Sequence, residues 1–182
     1  MASLLVSTLV KVALPAATVA LVLFAARKRG VSWRDDLGFK VPQARTWLIW
    51  LLLWAAWLVA GETLIRVFAL QQAQPWPPYP LLILVLRILA IGLMGPLAEE
   101  TLMRGLVLHL LQRSRLGIVG AIVLSSAAWA AMHYSYGLGT VLLIACDGLL
   151  LGMARYKSGS LWVPISMHVL GNLLSICQSL AT

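Results

Sequence analysis

The run Gly95-Pro96-Leu97-Ala98-Glu99-Glu100-Thr101-Leu102-Met103-Arg104 sets two adjacent carboxylates and an arginine deep inside an apolar stretch. On a helix, Glu100 and Arg104 stand four apart and share a face, while Glu99 is turned away from Glu100 by about 100°. Arg104 can therefore neutralise Glu100 and leave Glu99 unpaired, able to hold or take a proton. Pro96 suits the first position of a restarted helix, and the positive end of that helix would favour carboxylates in or near its first turn. Two later apolar stretches repeat the four-residue spacing, with Trp129 and His133 in one and His168 and Asn172 in the other. Three helices thus each present polar groups from one face, which fits a shared interior cavity. A carboxylate among histidines and an amide can activate water and stabilise the negative charge that develops when a carbonyl is attacked. The same groups leave a metal reading open: Glu99, His133 and His168 can form a His₂Glu zinc site with one open position. No His-Glu-x-x-His is present to support it through local spacing.

The elements that must position these groups follow from composition. The chain has 182 residues, of which 61% are apolar and only 11% charged, and it carries a net charge of +8. Soluble domains hold about 25% charged residues. The balance excludes a soluble globular enzyme, a disordered chain and a nucleic-acid binder, and describes an all-α, polytopic membrane bundle in one domain spanning residues 1–182. Apolar segments lie at 2–26, 46–70, 81–111, 117–134, 138–154 and 161–180. About 20 helical residues cross the hydrocarbon core, so 81–111 is long for one span and short for two. Gly95-Pro96 in its middle predicts a kink.

Loop charge chooses between one crossing and two. Arg27, Lys28, Arg29, Arg34, Lys40 and Arg45 follow the first segment, Arg113 and Arg115 the third, and Arg155 and Lys157 the fifth. The stretch 71–80 is uncharged. Basic loops face the cytoplasm. They share a side only if 81–111 crosses once, which predicts six spans with both termini outside. The rival splits 81–111 and puts Arg113 and Arg115 outside. The first segment lacks a positive n-region and a small-residue cleavage site, so it reads as an uncleaved span.

Other polar residues have structural readings. Glu62 and Arg66 form an i,i+4 pair near the outer end of the second span. Arg87 and Lys11 can snorkel. His109 reads as interfacial. Asp147, beside Gly148 and Gly152, is a buried acceptor or a substrate contact, and the two glycines permit close helix approach. Trp47, Trp50, Trp54 and Trp57 line one helix face as an anchor and packing stripe, or as a contact for substrate lipid. Cys146 and Cys177 are expected to pack as small apolar residues and not to form a disulfide framework.

Glu-Glu-x-x-x-Arg at 99–104, aromatic-x-x-x-His at 129–133 and His-x-x-x-Asn at 168–172 resemble the three motifs of the CPBP (Abi) intramembrane proteases, relatives of the type II CAAX prenyl endopeptidase. The stretch 155–162 resembles that family's approach to its third motif, and the likeness covers about residues 95–173. Trp129 departs from it, standing where the second motif usually opens with phenylalanine. The resemblance implies an integral multi-pass protein of a prokaryotic cell (inner) membrane. Its partners would be the bilayer and a membrane-embedded or membrane-anchored peptide, with no nucleic acid. It implies Glu99 as general base with Glu100 and Arg104 in support, His133 helping to orient water, and His168 and Asn172 stabilising the oxyanion. No cofactor is then required, zinc remaining the alternative. A proton-coupled transporter or an immunity or scaffold protein could use the same buried groups, although no second half repeats the first, as transporters often do.

Overall fold

The computed structural model describes residues 2–70 and 74–181, so residues 71–73 of the uncharged loop lie outside the described residues. The described residues form six helices and no strand: α1 (Ala2–Lys28), α2 (Ala44–Val67), α3 (Leu81–Gln112), α4 (Gly117–Ala131), α5 (Leu138–Ser158) and α6 (Trp162–Ala181). Five are long and apolar enough to span a bilayer, and α4 is a shorter apolar helix of 15 residues. The chain is a polytopic helical bundle, as its composition predicts.

The segment expected at 117–134 stops early. Beyond Ala131 the amides of Met132 and His133 turn back to the carbonyls of Trp129 and Ala130, three residues away. A short 3₁₀ turn, Tyr134–Tyr136, and Gly137 at φ 76° complete the reversal. The tighter i→i+3 closure is how helix ends satisfy their last carbonyls. His133 therefore sits just past the helix and not within it.

The basic loops gather at one end of the bundle. Arg113 donates to Asp36 Oδ1 at 3.2 Å, and Arg155 donates to the Asp36 carbonyl at 3.0 Å. The Leu161 amide donates to the Gly38 carbonyl at 2.7 Å, and Ser160 Oγ donates to the Lys40 carbonyl at 2.6 Å. Gly38 has φ 85°, and a Cβ there would stand 2.5 Å from the Arg155 guanidinium carbon, so this loop closes only with glycine. At the opposite end the Trp76 amide donates to the Ser179 carbonyl, and Leu70 packs over Gly139. Residues 81–112 therefore run once from one end to the other, and the split into two crossings is not what the chain adopts.

The main core joins Trp54, Met103, Trp129, Leu151, Ala154, Val163 and Met167. The tryptophan stripe of α2 lies on this core, and Trp57 Nε1 donates to Asp147 Oδ1 at 2.5 Å. Asp147 is thus a partly buried acceptor. Gly148 and Gly152 permit the close approach of α4 and α5, because a Cβ at either would meet Ser126 or Ile122 below 3.0 Å. His109 is buried beside Asp36 at 3.8 Å, contrary to the interfacial expectation. Cys146 and Cys177 are free and exposed instead of packed inside. Arg87 lies over the Tyr79 ring at 4.7 Å, so it finds an aromatic partner.

Candidate active site

Pro96 shapes α3 first. A proline inside a helix offers no N–H and crowds the carbonyl four residues back. The helix does not break. It widens into a π turn over Ala90–Met94, where the Gly95 amide bonds the Ala90 carbonyl five residues back. The Ile91 carbonyl then has no backbone donor: Gly95 is engaged with Ala90, and Pro96 has nothing to give. Asn172 Nδ2 reaches across from α6 and donates to it at 2.8 Å. A second π turn covers Thr101–Val107. Both turns keep right-handed helical backbone, so Glu99 and Glu100 lie within a continuous helix and not at a fresh N-terminus. The helix-end argument for their stability therefore does not apply.

Glu100 and Arg104 are both fully buried. Glu100 Oε1 accepts from Arg104 Nη1 at 3.0 Å and from His168 Nδ1 at 2.9 Å. Arg104 Nη2 donates to the Gly148 carbonyl at 3.2 Å, and its guanidinium lies over the Trp129 ring at 4.6 Å. Burial of a charge is tolerable when it is paired and hydrogen-bonded, and these contacts provide both.

Glu99 points elsewhere, as the 100° rotation requires, and is only partly buried. It is not without a partner: Oε2 accepts from Trp129 Nε1 at 2.6 Å. The rotation argument accounts for the missing arginine contact but overlooks the indole. Trp129 also meets the rings of His133 and His168 edge-on, each at 5.2 Å between centroids.

The histidine tautomers follow from their partners. A carbonyl only accepts, so His133 Nδ1, 3.0 Å from the Trp129 carbonyl, carries the hydrogen. His168 Nδ1 likewise donates to the Glu100 carboxylate. Both rings keep Nε2 for other work.

Glu99, Glu100, Arg104, Trp129 and His168 are thus brought together from α3, α4 and α6. His133 joins through Trp129 at the edge. Asn172 lies one turn beyond His168 but spends one amide hydrogen on Ile91. The zinc alternative fares differently: among the described residues no group of three His, Cys, Asp or Glu side chains is placed to hold a metal ion, and Glu99, His133 and His168 are not such a set. Trp129 as a donor is the contact that sequence reasoning missed. Its signal was an indole N–H in a position four residues before a histidine.

Residues 81–174 match the type II CAAX prenyl endopeptidase Rce1-like family. The chain belongs to that family. The matched stretch contains every group of the cluster, from Glu99 to Asn172, while residues 1–80 lie outside it. At family level this is a CAAX-protease-like intramembrane endopeptidase, and its long apolar helices make it an integral membrane protein. An uncharacterized 24.3 kDa protein of Escherichia coli is 31% identical over 136 residues, a stretch that covers 66% of this chain and 62% of that relative. The chain thus spans less than two thirds of the curated relative it matches. No solved structure matches.

Proposed function

We propose that this chain hydrolyses a peptide bond in a membrane-anchored or lipid-modified substrate, with water activated by Glu99. The observation that carries the reading is the buried convergence of Glu99 with the Glu100–Arg104–His168 group around Trp129. A water beside Glu99 Oε1 gives a proton to the carboxylate as its oxygen attacks the carbonyl carbon. His133 Nε2, a free acceptor in this tautomer, helps to orient that water. The carbonyl oxygen becomes an oxyanion. His168, as an imidazolium held by Glu100, donates to it from Nε2, and the second amide hydrogen of Asn172 reinforces this. The proton on Glu99 passes to the leaving amine as the C–N bond breaks, giving a carboxylic acid and an amine. No step needs a metal.

Substrate enters from the bilayer, and the protein sits in a prokaryotic cell membrane with its basic loops in the cytoplasm. Nucleic acid has no part in it.

The test is hydrolysis of membrane-peptide substrates, prenylated and unprenylated, by purified protein with and without chelator. Glu99→Gln should lower turnover about 10²–10⁴-fold, the usual worth of a general base, with the protein still folded and inserted. Wild-type turnover by the Gln variant would sink the assignment. Loss of activity on chelation with recovery on adding zinc would replace glutamate chemistry by metal chemistry. Proton-coupled flux with no cleaved product would mark a transporter.

A further inference from the structure

Trp129 is almost wholly buried, yet it touches four chemically active groups at once. Its indole N–H lies 2.6 Å from Glu99 Oε2, its ring faces the Arg104 guanidinium at 4.6 Å, and its edges meet His133 and His168. A packing residue needs none of the first contact. Indole is a donor only and does not surrender its hydrogen at any working pH. The short N–H to carboxylate bond is charge-assisted, so it holds the acid group more firmly than a neutral pair would.

The ring is itself held. Arg104 lies against it and is fixed in turn by Glu100 and the Gly148 carbonyl. A rigid path therefore leads from the buried ion pair on α3, through Trp129 on α4, back to Glu99. One carboxylate oxygen is occupied by a donor that never exchanges roles. The other, Oε1, is where a proton can be taken up. It lies on the Gly95 side, where even an added Cβ would stand 3.9 Å away, so the backbone leaves it room. We propose that Trp129 is a positioning residue for hydrolysis, whose indole N–H pins Glu99 Oε2 and presents Oε1 to the attacking water.

The role rests on the peptidase reading above, but the contact does not, and two measurements separate them. With ¹⁵N-tryptophan in detergent micelles, the Trp129 indole resonance is identified by its loss in Trp129→Phe. It should move upfield in Glu99→Gln, where a neutral amide replaces the charged acceptor. A resonance that stays in place would overturn the proposal, even if the Phe variant failed to fold. In turnover assays Trp129→Phe keeps the ring and removes the donor. It should lower kcat about ten- to a hundredfold, as expected for a hydrogen bond to a charged group. KM should stay within about twofold, because the lost interaction serves the transition state. Unchanged kcat, or a rise in KM alone, would assign Trp129 to packing or substrate binding and overturn the positioning role. A shifted resonance in a protein that cleaves no peptide would overturn the peptidase reading and leave the contact standing.

Discussion

The chain carries two pairs written the same way, a glutamate four residues before an arginine, and they live in opposite surroundings. Glu62 and Arg66 meet at 2.9 Å near the end of α2, with side chains 30% and 71% exposed. Glu100 and Arg104 meet at 3.0 Å in the middle of α3, with both side chains at 0%. The first pair is completed by Gln178 Nε2 on the second glutamate oxygen. The second is tied to His168, to the Gly148 carbonyl and to the Trp129 ring. Spacing makes the contact in both cases, and neighbouring helices decide what it does. A screened surface pair is worth about 0–1 kcal/mol, whereas removing one partner of a buried pair strands a charge.

The comparison breaks most visibly at Arg104. Arg104→Met should destabilise the fold by about 3–5 kcal/mol, read as unfolding in mixed micelles. Adding Glu100→Gln should recover much of that loss, and additive effects would show that the two do not act as a pair. A smaller effect is expected at Asn172, which has no counterpart beside Glu62. Asn172→Leu orphans the Ile91 carbonyl and should cost about 1 kcal/mol by the same measurement. No loss would mean that water or a backbone shift satisfies this carbonyl. The smallest effect belongs to Arg66. Arg66→Ala should change stability by about 0.5 kcal/mol or less, and added salt should shrink the difference further. A loss comparable to that of Arg104→Met would erase the contrast.

Much of this was legible in the sequence because hydrophobic length and loop charge are strong, local signals. The apolar runs mark the helices to within a few residues, except where 117–134 ends at Ala131. The basic residues group loops that meet at Asp36. The four-residue spacing foretells that Glu100 meets Arg104 and that Glu99 does not. What stayed hidden depends on contacts between helices or on departures from the 3.6-residue period. The engagement of Trp129 with Glu99 needs the relative height of α3 and α4. The diversion of Asn172 toward Ile91 follows from a π turn that a kink prediction does not describe. His109 is buried because the 31–40 loop folds back over it. Cys146 and Cys177 face outward because lipid, not protein, covers apolar residues on that side.

The two π turns give α3 a count as well as a pattern. Each wide turn holds its backbone bonds at five residues instead of four, so loss of one residue within it would restore ordinary spacing. Everything beyond that point would then rotate by about 100°. A deletion within Ala90–Met94 would swing Glu99 off Trp129 and Arg104 off Gly148 together. A deletion within Thr101–Val107 would leave Glu99 in place and turn His109 away from Asp36. The helix therefore works like a combination dial whose two settings fix separate neighbours. Substitutions alter its teeth one at a time, but a change of length resets every tooth downstream.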